Sequence, residues 1–281
     1  MKKYCVYCMS ALEDGEEICP FCEKRQDYSS PPHHLAPGTI LNKRYYVGKA
    51  IGQGGFGITY IGKDITLNIR VAIKEYYPSA YVNRNSTISP EVLVSQSNDR
   101  ENFYESGKRR FLDEARNLAM FSNEPGIVNV RDYFEENNSV YIVMEYIDGE
   151  TLKDYLSNKG HISPKQTLQL LLPIMYSLSK MHRQGIIHRD ISPDNIMMTR
   201  GNQAKLLDFG AARFVSAAAS SSLSIVIKPG FAPEEQYRSK GKQGPWTDIY
   251  ALCATIYTCI TGIVPDDAPQ RLHCDEVMTP S

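Results

Sequence analysis

Between Leu41 and about residue 147, short apolar runs alternate with polar breaks. "RYYVGKAIG", "GITYIG", "RVAIKEYY" and "SVYIVMEYI" have strand length and carry β-branched and aromatic residues, which predicts a strand-rich lobe. Beyond that point the period lengthens. "TLKDYLSNKG" and "PKQTLQLLLPIMYSLSKMHRQG" read as helices. One helix is also predicted inside the strand-rich half, where Phe111, Leu112, Ala115, Leu118 and Ala119 of "RRFLDEARNLAMF" fall at helical spacing. The most apolar run, Ile249–Val264, has 16 residues, which is short for a membrane span and suits a buried helix. Strands followed by helices predict an α+β chain with two lobes, 41–146 and 147–281, and a cleft between them.

The first 40 residues break this pattern. Cys5 and Cys8 form one C-x-x-C pair and Cys19 and Cys22 another, with ten residues between the pairs. A segment of this size buries too little apolar surface to fold alone. Four thiolates on one tetrahedral Zn²⁺ would supply on the order of 10–16 kcal/mol. Asp14-Gly15 suits a tight turn that brings the pairs together, so residues 1–24 are similar to a zinc ribbon with a structural metal. The proline-rich stretch 25–40 reads as a linker, with His33 and His34 as solvated residues because the cysteine set is already complete.

Composition narrows the classes. With 42% apolar and 22% charged residues, the 281-residue chain is expected to be globular rather than disordered. Its 31 basic and 32 acidic residues give a net charge of −1, against a nucleic-acid or anionic-membrane coat. No apolar segment follows the two N-terminal lysines, so no secretory signal is expected, and no membrane span is predicted. Cysteines clustered in this context point to metal binding in a reducing compartment, the cytoplasm.

Two motifs carry the first chemistry. Gly52, Gly54 and Gly57 in "GQGGFGITY" lie between two predicted strands with no helix after them. That context excludes the dinucleotide strand–turn–helix and fits a glycine hairpin whose backbone closes over nucleotide phosphates. Lys74 follows in "VAIKEYY", 17 residues beyond Gly57. An ammonium within an apolar strand needs phosphate oxygens or a carboxylate to match it.

With "GQGGFGITY", "VAIKEYYP" and "HRDISPDN" in this order, residues 41–281 resemble a eukaryotic-type (Hanks-type) protein kinase domain of the bacterial branch. The resemblance implies a bilobal kinase fold and ATP- and Mg²⁺-dependent phosphorylation of serine or threonine in a protein substrate. It also leaves room for autophosphorylation within a homodimer. It implies that Lys74 holds the α- and β-phosphates and pairs with a carboxylate, for which Glu114 is preferred over Glu101 and Glu105. The 40-residue separation of Lys74 and Glu114 is attributed to an insertion over "SAYVNRNSTISPEVLVSQSNDRENF". Ile51, Thr59, Ala72, Met144 and Met197 would surround the adenine, and backbone groups of Glu145 to Ile147 would meet its edge. Asp190 would orient the attacking hydroxyl, and Asn195 and Asp208 would hold Mg²⁺. Asp248 would hold the catalytic loop.

The activation segment implied by the resemblance runs from Asp208 to Ala232-Pro233-Glu234. It carries Ser216, Ser220, Ser221, Ser222 and Ser224, read either as phosphorylation sites facing Arg189 or as a plain polar loop. Two positions depart from the family. Ser192 stands where a lysine is expected and Ile227 where a threonine is expected, with Lys228 next door as a substitute cation. The chain after Arg271 is shorter than the family leads one to expect. A nucleotide-binding pseudokinase, a ribbon that docks a partner and a small-molecule kinase are the competing readings.

Overall fold

A computed structural model describes residues 2–94, 98–207, 213–214, 227–238 and 241–277, with backbone alone at 213–214. The chain divides into two units, Met1–Ala119 with Asn129–Tyr146, and Met120–Val128 with Ile147–Ser281. The first is rich in strands and the second in helices, as the α+β pattern predicts.

The first unit opens with a two-stranded ladder, β1 (Lys3–Tyr4) with β2 (Ala11–Leu12). Its main sheet comprises β3 (Ile40–Leu41), β4 (Tyr45–Gln53), β5 (Gly57–Asp64) and β6 (Ile69–Tyr76), joined by two later strands. A small hairpin of β7 (Val82–Asn83) and β8 (Leu93–Val94) precedes helix α1 (Asn98–Ala119). Then come β9 (Val130–Glu136) and β10 (Ser139–Glu145), and the sheet order is β3-β4-β5-β6-β10-β9, antiparallel at every pairing. Helix α1 buries Tyr104, Phe111, Glu114, Ala115 and Leu118. It starts at Asn98, so the end of the expected insertion is helix; "NDRENF" is too polar to show a 3.6-residue period in the sequence.

The N-terminal ladder does not hang free. Tyr4 and Met9 pack with Tyr46 and Ile61 in one buried cluster, and Lys49 N donates to Val6 O at 3.0 Å. A Cβ on Gly48 would lie 2.3 Å from Met9 Cε and 2.9 Å from Val6 O, so this close approach requires glycine. The stretch 25–40, expected as a linker, is also packed. Leu35 is buried with its N–H donating to Tyr60 Oη at 3.0 Å. His34 is only 6% exposed, which corrects its reading as a solvated residue: its Nε2 donates to Gln53 Oε1 at 2.9 Å. Prolines and polar residues mimic a linker in the sequence while two side chains and several carbonyls anchor the strap.

The second unit contains β11 (Gly149–Thr151), α2 (Leu152–Lys159), α3 (Pro164–Arg183), β12 (Ile186–Ile187), β13 (Ile196–Thr199), β14 (Ala204–Leu206) and β15 (Arg213–Phe214). These are followed by α4 (Glu234–Tyr237), α5 (Pro245–Thr261) and α6 (Ala268–Arg271). Thr151 caps α2 by accepting from Asp154 N at 3.0 Å, and Ser163 caps α3 ahead of Pro164, which needs no N–H partner in the first turn. Pro173 interrupts the helical ladder of α3; Ser177 Oγ donates back to its carbonyl and accepts Gly126 N at 3.2 Å. The apolar run near the C-terminus is α5, with Ala251, Leu252, Ala254, Thr255, Thr258 and Cys259 buried. Among the described residues no helix is long and apolar enough to cross a membrane.

Candidate active site

In the first unit, β4 and β5 meet at the glycine turn, where Gly54 N donates to Gly57 O at 2.9 Å. A Cβ on Gly57 would stand 2.7 Å from the Glu75 carbonyl, whereas Cβ atoms on Gly52 or Gly54 would meet nothing within 4 Å among the described residues. The turn therefore presents bare backbone to open space, the surface a polyphosphate can approach. Lys74 is opposite Thr59 in the β5–β6 ladder, and Ala72 is opposite Met144 in the β6–β10 ladder. Ile51 is exposed near the end of β4.

Lys74 Nζ lies 3.0 Å from Glu114 Oε1, with side chains 15% and 7% exposed. Of the three carboxylates weighed from the sequence, Glu114 is the one paired with Lys74; Glu105 is engaged by Lys108 at 3.3 Å. Lys74 also stands 5.2 Å above the Phe111 ring, so α1 supplies both carboxylate and aromatic face. Glu145 N donates to Asn129 O at 2.9 Å, which removes this N–H from the backbone groups expected to meet an adenine edge.

In the second unit the loop 188–195 is fixed from below. Asp248, fully buried near the start of α5, accepts His188 N and Arg189 N, each at 2.8 Å, and His182 Nε2 at 2.7 Å. Gln236 Nε2 donates to Arg189 O at 2.9 Å. These bonds hold Arg189 at φ +73°, a left-handed conformation that a β-carbon disfavours. Asp190 is thereby presented with its carboxylate partly exposed, at 28%. Asn195 Nδ2 donates to Asp190 O and to Asp190 Oδ2, both at 2.8 Å. With its nitrogen so committed, Asn195 offers Oδ1, a hard oxygen of the type Mg²⁺ takes. Met197 lies in β13, opposite Lys205 and Thr151, and Ile147 is buried. Asp208 and Ser216, Ser220, Ser221, Ser222 and Ser224 lie outside the described residues.

The residue that meets this loop from the segment before α4 is Lys228. Its Nζ is 2.8 Å from Ser192 Oγ and 3.3 Å from Asp190 Oδ1. Lys228 is the substitute cation that the sequence offers beside the off-pattern Ile227, and its ammonium stands at both Ser192 and Asp190. Gln236 and His182 were not singled out from sequence, and nothing in their spacing advertises partners 47 and 66 residues away.

The four N-terminal cysteines converge. Their Sγ atoms all lie within 4.8 Å of one another, with Cys5–Cys22 at 3.6 Å and Cys8–Cys19 at 3.7 Å. These spacings are far beyond a disulfide and near the roughly 3.8 Å edge of a tetrahedron with Zn–S bonds of about 2.3 Å. Burial raises the Cys5 thiol, whereas at Cys8 hydrogen bonds with Ser10, Cys5 and Cys22 together outweigh burial and hold that thiol down at about 7. Cys22 is pushed up to about 12, first by burial and then by the neighbouring sulfurs. Four sulfurs this close cannot all ionise without a cation among them. Gln26 Nε2 donates to Cys5 Sγ at 3.3 Å, a second layer around the cluster.

Comparison with known proteins agrees with this geometry. The protein kinase domain family matches residues 45–278. The serine/threonine-protein kinase PrkC of Bacillus subtilis is 32% identical over 231 residues, covering 82% of this chain and 32% of that protein. PknB of Mycobacterium leprae is 32% identical over 243 residues, covering 84% of this chain and 34% of PknB. The chain thus spans about a third of the length of these curated relatives. The solved structure "PpkA-294 apo form" superposes with a TM-score of 0.74 at 37% identity, covering 88% of this chain and 85% of that one. Glycine turn, lysine–glutamate pair, braced 188–195 loop and these matches together make the chain a member of the Hanks-type protein kinase family, in its bacterial branch.

Proposed function

We propose that the chain transfers the γ-phosphoryl group of ATP to serine or threonine hydroxyls of a protein substrate. The Lys74–Glu114 ion pair carries this reading, because an ammonium held 3.0 Å from a nearly buried carboxylate is a preset anchor for phosphate oxygens. Asp190 accepts the proton of the attacking hydroxyl as its oxygen bonds to the γ-phosphorus. The bond from that phosphorus to the β,γ-bridging oxygen breaks, and its electron pair leaves on ADP. Asn195 and Asp208 are the proposed Mg²⁺ ligands, and the ion supplies charge neutralisation at the phosphates when bound. Ile51, Thr59, Ala72, Met144, Ile147 and Met197 are assigned to adenine contacts, together with backbone of the Glu145–Ile147 segment.

Cys5, Cys8, Cys19 and Cys22 are assigned a structural Zn²⁺. The near-tetrahedral sulfur spacing supports that choice, and thiolate ligation suits the reducing cytoplasm. Metal analysis should return one zinc per chain, and Cys5→Ser with Cys22→Ser should abolish it.

The decisive experiment incubates the purified chain with labelled ATP and Mg²⁺, with and without a generic basic protein, beside Asp190→Asn. Label on serine or threonine that falls by at least a hundredfold in the variant supports phosphotransfer. Equal label in both proteins leaves the nucleotide-binding scaffold as the reading.

A further inference from the structure

Phosphoryl transfer requires a cation beside the group that moves, because the protein contributes chiefly position and charge. The loop "HRDISPDN" contains one permanently charged cation, Arg189, whose side chain belongs to a buried residue. Where the loop could carry a second, it has Ser192, which is fully buried. The ammonium that stands at Asp190 comes instead from a residue 36 positions after Ser192.

We propose that Lys228 is the γ-phosphate-neutralising residue of this kinase, delivered from the activation segment and aimed by Ser192. The inference rests on the phosphotransfer reading above. An ammonium has three N–H donors. One goes to Ser192 Oγ at 2.8 Å and one to Asp190 Oδ1 at 3.3 Å, the only partners of Lys228 Nζ among the described residues. The side chain keeps 27% of its surface exposed, which leaves the third donor for an anion arriving at Asp190.

The lysine is not placed there by chance flexibility. Phe231 N and Ala232 N both donate to Lys228 O, at 3.1 and 3.0 Å, so the backbone turns at this residue. Ser192 cannot supply charge, but its buried hydroxyl fixes one end of a long side chain that would otherwise sample many rotamers. The catalytic loop therefore provides the hydroxyl and the activation segment the charge, reversing the arrangement the sequence resemblance implies. One regulatory consequence is built in: whatever displaces residues near 228 removes the cation and leaves Asp190 in place.

The test separates this role from a purely structural tether. Lys228→Ala should lower kcat by about a hundredfold. It should also weaken the non-hydrolysable analogue AMP-PNP about tenfold, each with Mg²⁺, while ADP, which lacks the γ-phosphate, stays within twofold. Lys228→Arg should recover part of both losses. The exchange variant, Ser192→Lys with Lys228→Thr, should exceed Lys228→Thr alone by at least tenfold in kcat. The inference falls if Lys228→Ala retains kcat within twofold, if AMP-PNP and ADP weaken equally, or if the exchange gives no gain. Should the wild-type chain match Asp190→Asn in labelling, the phosphotransfer reading fails, and the AMP-PNP to ADP ratio alone then decides the role of Lys228. Absence of any nucleotide binding overturns both.

Discussion

Arg84 and Glu75 form an ion pair with no exposed surface on either side chain, Nη2 standing 2.8 Å from Oε2. Around it, Tyr60 and Tyr141 donate to Glu75 at 2.9 Å each, and Arg84 donates to His33 O from Nε and Nη2. The pair therefore binds the β7–β8 hairpin, β6 and the strap 25–40 in one dry network. Removing one partner strands the other charge, so Glu75→Gln or Arg84→Met should each cost roughly 3–5 kcal/mol in denaturant unfolding. The double replacement Glu75→Gln with Arg84→Met should cost less than the sum of the two. Strict additivity would show the pair to be uncoupled.

His34 gives the first unit a pH dependence. Burial lowers its pKa, and neighbouring His33 and Arg84 add to the effect, although its bond to Gln53 opposes them. Its Nδ1 is buried and has no partner among the described residues, so a second proton there would find no acceptor among them. The folded value lies below the usual histidine range. The contribution to stability is then complete above about pH 6.5 and is lost as pH falls toward the folded value. Thermal unfolding between pH 7 and 5 should slope downward in the wild type, with a shallower slope in His34→Gln.

Gly48 is where the four-cysteine head touches the sheet. Gly48→Val puts carbon where Met9 Cε and Val6 O now lie, and the backbone oxygen cannot yield as a side-chain tip can. The variant should keep its zinc while trypsin cleaves within residues 25–40 far faster, and the Lys49 amide should lose hydrogen-exchange protection. A protected Lys49 amide in the variant would refute the contact.

Asp248→Ala removes the acceptor of two backbone N–H groups and of His182. Each lost charge-assisted bond is worth about 1.5–3 kcal/mol, and Arg189 would no longer be held at its positive φ. Stability should fall by several kcal/mol. A variant that folds at low temperature should lose phosphotransfer while keeping ADP affinity, because Lys74 and Glu114 belong to the other unit.

How much of this was legible depended on whether a residue's partner leaves a trace in local pattern. Lys74 in an apolar strand declares that it needs a counter-charge, and helical spacing around Glu114 identifies the carboxylate that accepts its bond. The four cysteines declare their convergence by paired spacing. Arg84 lies in a polar stretch where a charged residue reads as solvated, and nothing nearby signals Glu75 on another strand. Leu35 and His34 are too few to outweigh the prolines around them. Lys228 is offered by the sequence as a substitute cation because it neighbours the off-pattern Ile227, but its bond to Ser192 crosses 36 residues of a segment with no period and is visible only in the fold.

The strap also changes what counts as the smallest workable piece of this chain. Family similarity begins at residue 45, and a cut at Leu41 follows naturally from it. Such a cut would uncover Tyr46 and Ile61, which are 8% and 1% exposed, and delete the His33 carbonyl that Arg84 bonds twice. A shortened protein designed on that boundary would present a sticky sheet face and an arginine missing the one carbonyl that accepts two of its hydrogen bonds. Recombinant work on the kinase-family domain should therefore begin at the four-cysteine head and treat the first 40 residues as part of the protein's body.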